Sequence, residues 1–357
     1  MDLYVSALRP LLFRLPADQA HALARAALRW PALWRLFGAD GVGDPRLATQ
    51  LSGLHLASPI GLAPGFDKSG ELSASLAHLG FGYLVAGSIT KDARHGNPFP
   101  RLVRYPDRQS ISNSMGLPNP GLQAAASYLR GAPKTPPLLA SVAGFSAAEL
   151  VECALAVEPH VAAVEIGLVC PNTTETERLE EMRVFTTLLD ELARRKSKPA
   201  FIKLPPHHDA DQRRHVLAMV AACSQAGING VSISGTRPIV EPGLGMGRGS
   251  LAGRDVFPDT LRIVRDVAEY SNGRLAIKAS GGVFTGRDAF ELLEVGAATV
   301  ELYSAFIYRG WDVARRIASE LLAELDRRDI ESVASLCQSE RSGKSVPQGA
   351  DASLSSA

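Results

Sequence analysis

Short apolar runs rich in β-branched residues alternate with longer amphipathic stretches through the middle of the chain. Most of the short runs are continuously apolar, which is typical of parallel strands covered on both faces. The pattern predicts strands at residues 60–62, 83–86, 138–142, 163–168, 200–204, 230–234, 275–279 and 299–302. Between them it predicts helices, for example at residues 175–195, 211–226, 259–270 and 286–295.

Eight strands that alternate with helices predict an α/β fold, the (β/α)8 or TIM barrel. A doubly wound sheet is the alternative, but the first strand–helix turn lacks the Gly-x-Gly-x-x-Gly pattern of that fold. A long insertion, residues 92–121, separates the second predicted strand from the third. We expect it to carry a β-hairpin, 101–105 with 110–113, that lies over the C-terminal mouth of the barrel.

The two ends of the chain differ in composition from the predicted barrel, which spans residues 45–325. Residues 1–40 contain many leucines, two of the three tryptophans and five arginines. This pattern predicts a helical N-terminal extension of basic amphipathic helices that can lie in a membrane interface. A helical cap packed on the barrel is the alternative interpretation. Residues 329–357 are rich in Ser, Gln and Gly and predict a disordered tail.

The overall composition excludes several classes of protein. The 38 basic and 37 acidic side chains give a net charge of +1, so no overall field favours nucleic acid. The absence of any Cys-x-x-Cys pair argues against a zinc site or disulfide framework and for a reducing compartment. The sequence has no run of 18 apolar residues, and its N-terminus does not resemble a cleaved signal peptide. No metal site is predicted.

Cys170 stands at the end of the fourth predicted strand and is followed by Pro171 and Asn172. In a barrel, catalytic groups collect at the strand C-termini. A thiol on a loop stiffened by proline is placed there as a proton acceptor, and nearby cations lower its pKa. Lys68 and Lys203, which follow the first strand and end the fifth, are the candidate cations. A buried, inert thiol is the alternative.

The loops after the seventh and eighth strands indicate a phosphate-bearing cofactor. Backbone N–H groups of these two loops commonly bind phosphate in TIM barrels. Gly281 and Gly282 allow the backbone to approach a ligand closely, and Ser304 adds a hydroxyl donor.

Four segments (58–71, 96–102, 113–116 and 303–308) resemble the dihydroorotate dehydrogenase family, and the likeness extends over nearly all of residues 1–325. The resemblance implies an FMN-binding (β/α)8 barrel that oxidises a ring C–C single bond to a double bond. It places Cys170 at the catalytic base. The substrate-binding residues that it implies are Lys68, Asn113, Ser114, Met115, Gly116, Leu117, Asn172, Gly235 and Thr236. The cofactor-binding residues that it implies are Ala63, Pro64, Gly65, Ser88, Ser141, Gly167, Lys203, Ser234, Gly253, Gly282, Tyr303 and Ser304.

The N-terminal extension resembles that of the quinone-reducing branch of the family. In that branch two amphipathic helices form a mouth through which a membrane quinone reaches the flavin. The resemblance therefore implies dihydroorotate or an analogue as the small-molecule substrate, a quinone as the electron acceptor and no nucleic-acid partner. It also implies peripheral attachment to the cytoplasmic side of the membrane.

Several residues depart from the family pattern. Cysteine is the base of the soluble branch, whereas the quinone branch normally has serine, and 113–119 also resembles the soluble branch. Gly167 and Gly235 stand where the family has asparagines on the substrate side, and we expect both glycines to open space. Ser141 replaces an asparagine that usually contacts FMN, and Pro64 replaces a small residue. A relative that oxidises another small polar substrate, or a non-catalytic flavin-binding barrel, is therefore an alternative function.

Overall fold

Eight parallel strands close into a barrel in this computed structural model, which describes residues 3–38, 41–168 and 179–336. The strands, in chain order, are β1 Thr49–Leu51, β2 Leu54–Leu56, β3 Ile60–Leu62, β4 Tyr83–Ile89, β5 Leu102–Tyr105, β6 Ser110–Asn113, β7 Leu138–Ala143, β8 Ala163–Gly167, β9 Ala200–Lys203, β10 Gly230–Ser234, β11 Arg237–Val240, β12 Arg248–Gly253, β13 Ala276–Ser280 and β14 Thr299–Leu302. The barrel consists of β3, β4, β7, β8, β9, β10, β13 and β14, and each strand pairs in parallel with its neighbours. The predicted TIM barrel is confirmed.

Helices follow the barrel strands and cover the outside. In chain order they are α1 Arg9–Arg14, α2 Ala17–Ala27, α3 Pro31–Phe37, α4 Ser73–Leu76, α5 Leu122–Gly131, α6 Ala147–Val157, α7 Met182–Arg195, α8 Ala210–Gln225, α9 Phe257–Ser271, α10 Gly286–Glu294, α11 Ser304–Arg309 and α12 Val313–Arg327. The predicted helix at 175–195 begins later than expected, at Met182, and its first four residues lie outside the described part of the chain. The main hydrophobic core fills the layer between these helices and the barrel.

A second, smaller core closes the N-terminal end of the barrel. It contains Leu51 and Leu56 from the antiparallel β1–β2 hairpin, with Tyr83 and Phe201 from barrel strands. All four side chains are buried. In the described part of the chain this end is therefore filled by apolar groups, whereas a cavity opens at the C-terminal mouth.

A four-stranded antiparallel sheet lies over that mouth, in the order β11-β12-β6-β5. The predicted hairpin is present as β5 and β6, with Leu102 paired to Asn113. The second hairpin, β11–β12, was not predicted. The antiparallel pairing of β12 with β6 joins the two hairpins into one sheet, the lid.

The N-terminal extension is helical, as predicted, but it is broken into more pieces than the expected two helices. Pro16 precedes α2, and Pro31 begins α3, because proline is tolerated in the first turn of a helix and not in its interior. The hydroxyl of Tyr4 donates to Ile307 O at 2.5 Å, and Arg9 Nη1 donates to Tyr308 O at 2.9 Å. The extension therefore packs on the barrel, while Trp30, Leu36 and other large apolar side chains remain exposed. Among the residues that the structure describes, no helix has both the length and the hydropathy needed to cross a bilayer.

The chain beyond α12 continues to pack on the barrel, so the predicted start of a disordered tail at residue 329 was wrong. Val333 is fully buried and Leu336 is 6% exposed, and both belong to the main core. Ile330 packs against the same core. Residues 337–357, the rest of the predicted tail, lie outside the described residues.

We predict that Val333→Ala lowers the free energy of unfolding by roughly 1–3 kcal/mol, because it removes two buried methyl groups from a filled site. Thermal and urea unfolding of the purified variant measure the change. Glu331→Ala, at an exposed position two residues away, is the matched control and should change stability little. Equal stability of Val333→Ala and the wild type would contradict the packing of this segment.

Candidate active site

A cavity of about 410 Å³ opens at the C-terminal mouth of the barrel, under the four-stranded lid. Its floor and walls come from the ends of barrel strands and the loops that follow them. The lid contributes Leu102, Ile111 and Asn113. Because parallel strands bring all their carboxyl ends to one side, residues separated by more than 200 positions meet here.

Most of the predicted site residues line this cavity. From the substrate set these are Lys68, Asn113, Met115, Gly116, Leu117 and Thr236. From the cofactor set they are Ala63, Pro64, Gly65, Ser88, Gly167, Lys203, Ser234, Gly253, Gly282, Tyr303 and Ser304. Cys170 and Asn172, the predicted base and its neighbour, lie outside the described residues.

Two serines of the predicted set lie behind the cavity wall. Ser114 is buried, and its Oγ accepts a hydrogen bond from Asn97 Nδ2 at 3.2 Å. Ser141 is also buried, and its Oγ lies 3.0 Å from the Oγ of Ser88, which does line the cavity. These contacts allow Ser141 to orient the Ser88 hydroxyl.

The two glycines that replace family asparagines occupy different surroundings. Among the described residues, a Cβ on Gly167 at the cavity wall would come within 4 Å of Val142 O alone, at 3.3 Å, a tight contact that a shift of a few tenths of an ångström relieves. A Cβ on Gly235 would lie 2.3 Å from Thr260 Oγ1 and 2.6 Å from Thr260 N, at the first turn of α9. The expectation that both glycines open space was therefore wrong for Gly235, which packs against a helix.

The loop after β3 is held by Asp67 and presents Lys68 to the cavity. The Asp67 carboxylate accepts hydrogen bonds from Gly70 N at 2.9 Å and Leu72 N at 3.1 Å. Lys68 Nζ does not bond to Asp67; it donates to Gly65 O at 2.9 Å. Asp67 is thus used to fix the loop, which leaves the lysine free to face the cavity.

Burial lowers the pKa of Lys68 to about 7, and repulsion from the Arg25 guanidinium adds to the shift, against a smaller opposing attraction from Asp67. Near neutral pH this lysine therefore exchanges between its charged and neutral forms. Lys68 therefore carries its full positive charge only below pH 7.

The helix α2 packs beside the same loop and supplies residues that sequence patterns did not indicate. His21 Nε2 lies 3.4 Å from Lys68 Nζ, and Arg25 Nη1 donates to Phe66 O at 3.1 Å. Asp18 accepts a hydrogen bond from Arg101 N at 2.9 Å. Burial, with repulsion from Lys68 and Arg25, lowers the pKa of His21 to about 3, so the imidazole is neutral. The N-terminal extension thus forms part of the surroundings of the cavity.

Lys203 ends β9 and lines the cavity floor. Its ammonium group makes no hydrogen bond or ion pair with the residues that the structure describes, although it is half-buried. An unpaired ammonium in such a position is available to a negatively charged ligand atom.

The loops after β13 and β14 offer unused hydrogen-bond donors. Gly281 and Gly282 have φ values of +119° and +80°, which glycine adopts readily. The helix α11 begins at Ser304 without a capping side chain. Within the described ranges, the N–H groups of Gly282 and Ser304 donate to no protein acceptor. Donors that are left free at a cavity wall suit a phosphate group.

We predict that Lys68→Met removes a pH-dependence of stability. The pKa of Lys68 is about 7 in the folded protein and about 10.4 in an unfolded chain, so between these pH values the unfolded chain binds more protons. The contribution of Lys68 to the free energy of unfolding therefore rises with pH over this window, on the order of 1 kcal/mol per pH unit.

Thermal unfolding of the ligand-free protein at pH 7 and pH 9.5 tests this prediction. The wild type should gain stability relative to Lys68→Met as the pH rises. Lys134→Met removes a lysine outside the cavity and should leave the pH-dependence of the wild type in place. Identical slopes for Lys68→Met and the wild type would show that burial does not perturb this ammonium.

Comparison with known proteins identifies the family. The model of the dihydroorotate dehydrogenase family matches residues 46–325. The chain is 34% identical over 350 residues to a dihydroorotate dehydrogenase (quinone) of Gloeobacter violaceus. The aligned region covers 93% of this chain and 97% of that protein. A protein of the same name from Roseiflexus sp. is 34% identical over 348 residues, 90% of this chain and 94% of its own. The crystal structure of ligand-free DHODH from Eimeria tenella superposes with a TM-score of 0.78 at 26% identity, covering 88% of this chain and 98% of that one. The chain therefore belongs to the dihydroorotate dehydrogenase family, in its quinone-dependent class of oxidoreductases that act on CH–CH groups.

Proposed function

We propose that this protein binds FMN, oxidises dihydroorotate with Cys170 as the base, and passes the electrons to a quinone. The observation that carries the proposal is the cavity itself, where the free ammonium of Lys203, the glycine loop after β13 and the lid asparagine Asn113 meet at one mouth. Relatives named dihydroorotate dehydrogenase (quinone) support the same substrate and acceptor.

The residues present fit FMN. The free N–H groups of Gly282 and Ser304 would hold its phosphate, and Ser88, supported by Ser141, would contact the ring system from the side of β4. The cavity volume of about 410 Å³ suits a cofactor of this size. When bound, the flavin ring accepts a hydride from a carbon of the substrate.

Lys203 would stabilise negative charge that collects on the reduced cofactor. Its ammonium is half-buried and faces the cavity without a protein partner among the described residues. A fixed charge in a site that excludes water is worth more than the same charge in bulk solvent, and no reorganisation is needed at the moment of reaction.

The substrate would lie between the lid and the loop after β3. Asn113, at the end of β6, is half-buried, and its Nδ2 reaches Ser250 O only at 3.4 Å. Its amide therefore retains hydrogen-bonding capacity for a polar ring. Lys68 faces the same space and supplies a second polar contact.

Cys170 would take the proton from the substrate carbon next to the one that gives up the hydride. The thiolate is the basic form, and a neighbouring cation lowers the pKa of a thiol. Lys68 supplies such a cation most fully below pH 7, because its own pKa is about 7. Because Lys68 loses its charge above pH 7, activity should depend on pH near neutrality.

The quinone would approach from the side of the N-terminal extension. Helix α2 contacts the loop after β3 through His21 and Arg25. Large apolar side chains of the extension are exposed, among them Leu3, Leu11, Trp30, Leu36 and Phe37. An exposed apolar surface with interspersed arginines suits the interface of a membrane. This placement supports peripheral attachment to a membrane, which we propose to be on its cytoplasmic side, and a route for the acceptor between membrane and cavity.

The alternatives, a different small polar substrate or a barrel that binds flavin without catalysis, are not favoured by these relatives. One observation bears on substrate selectivity all the same. Gly167, on the cavity wall, lacks the amide that the family resemblance implies at this position. A missing hydrogen-bond partner costs on the order of 1–3 kcal/mol for a buried polar group of the ligand.

We predict that Cys170→Ala abolishes bleaching of the bound flavin by dihydroorotate, while the flavin content stays at the wild-type level. Anaerobic absorbance spectroscopy measures both. Cys170→Ser should keep part of the activity, with its optimum moved to higher pH, because a hydroxyl ionises less readily than a thiol.

Cys223→Ala is the matched control, because burial raises the pKa of this thiol to about 12 and makes it inert. Dihydroorotate should bleach the flavin bound to this variant as it does in the wild type. With a quinone analogue present, the wild type should turn over. A wild-type protein that is fully loaded with FMN yet is not bleached by dihydroorotate would reject the proposed substrate, and full activity of Cys170→Ala would reject the base.

We predict that Gly167→Asn and Gly235→Asn have opposite outcomes. At position 167 the Cβ makes one tight contact with the described residues, which a small shift relieves, so the variant should fold and lower the KM for dihydroorotate about tenfold. At position 235 the Cβ meets backbone atoms of α9, so the variant should lose several kcal/mol of stability. Steady-state kinetics and thermal unfolding of the pair measure the contrast. A stable Gly235→Asn would contradict the packing described for that loop.

A further inference from the structure

Three charged side chains form a buried ion network inside the barrel. Lys278 Nζ lies 2.7 Å from Glu165 Oε2 and 2.9 Å from Glu301 Oε1. The three residues come from β13, β8 and β14, and none is more than 2% exposed. Ser232 Oγ donates to Glu165 Oε2 at 2.6 Å. The network is therefore held on several sides and shielded from water.

Stability alone does not account for this network. The interior of a TIM barrel is normally filled by branched aliphatic side chains. The cost of removing charges from water commonly exceeds their mutual attraction, so a buried ion pair is often no more stable than apolar residues of similar size. Charges in this layer therefore point to a role in the chemistry above them.

The network reaches the floor of the cavity at two points. Glu301 itself lines the cavity. Gly167 pairs in register with Lys203 across β8 and β9, and Glu165 lies two residues earlier on β8. Because side chains two apart on a strand share a face, Glu165 lies one layer beneath the position of Lys203.

The network holds two carboxyl groups and one ammonium. Attraction to Lys278, and secondarily to Lys203, outweighs burial and lowers the pKa of Glu165 to about 2, so this carboxylate stays ionised. Its Oε1 has no hydrogen-bond partner among the described residues. Two carboxylates thus share one ammonium directly beneath the cationic Lys203.

Other groups that face Glu301 are uncharged. Tyr83 donates its hydroxyl to Glu301 Oε1 at 3.1 Å, and that hydroxyl lies 2.9 Å from Thr299 Oγ1. Burial raises the pKa of Tyr83, so it remains neutral. Lys278, Glu165 and Lys203 are therefore the charges that act on Glu301.

We propose that the ion network Glu165–Lys278–Glu301 is a counter-charge to Lys203 that sets the reduction potential of the flavin bound above it. Lys203 favours the reduced, negatively charged form of the ring. The excess carboxylate beneath it opposes that effect and keeps the potential low, which favours onward transfer of electrons to the acceptor. The inference rests on the proposed binding of FMN and extends it to residues deeper in the barrel.

The test is the midpoint potential of the flavin in holoenzyme variants, measured by anaerobic titration with reference dyes at pH 9. An alkaline pH favours the ionised form of Glu301, because burial, with repulsion from Glu165, raises its pKa. Glu301→Gln should shift the equilibrium about tenfold or more toward the reduced form, which for a two-electron couple is a rise of about 30 mV. Glu165→Gln should shift it in the same direction and serves as the second variant if Glu301→Gln does not fold. Lys278→Met, which removes the positive charge, should lower the potential.

The opposite signs separate an electrostatic role from a structural one, since disturbed packing has no reason to follow the sign of the charge. Glu158→Gln removes a buried carboxylate that binds Ser197 N and Lys198 N away from the cavity. It should leave the potential unchanged. A potential that does not move in Glu301→Gln and Glu165→Gln, or that rises equally in Lys278→Met, would overturn the inference. A purified protein that holds no flavin would instead reject the proposed function.

Discussion

Closure of the barrel is the constraint on which the rest of the structure depends. The link that closes the ring joins β14, the last barrel strand, to β3, the first, and this pairing is parallel like the others. Because all eight strands run in one direction, their carboxyl ends share one mouth, and apolar side chains among the described residues fill the other end. Each loop after a barrel strand is thereby delivered to the same cavity. The position of the site is therefore set by the topology of the strands, and the individual side chains then determine its chemistry.

Much of this architecture could be predicted from the sequence, because parallel strands that are covered on both faces leave a simple signal. The runs at 230–234 and 299–302 have the predicted bounds, and the first hairpin lies over the mouth as expected. The second hairpin was missed because β11 is mostly exposed and carries Pro238, so its pattern is that of a loop. The start of the tail was misjudged because the few apolar residues here, such as Val333 and Leu336, are interspersed with serines and acidic residues, and the barrel surface shows what buries them.

The cavity residues were predictable to the extent that position along a strand determines them. Lys203 and the glycines after β13 follow barrel strands and face the mouth, as the pattern indicated. Gly235 could not be interpreted correctly, because its neighbour Thr260 comes from a helix that no local pattern places against it. Lys278 lies within an apolar run, and so does Glu301. A single charge of this kind indicates little until the ring closes and brings opposite charges within 3 Å of each other.

The contacts of α2 have a mechanical consequence. Asp18 is tied to the start of the lid through Arg101, and Arg25 is tied to the loop that carries Lys68 through Phe66. A shift of this helix would pull on the lid and the lysine loop together. A surface or molecule that displaces the extension would therefore also change the geometry of the cavity. Binding at the outside of the protein and the arrangement of the site are linked through this helix.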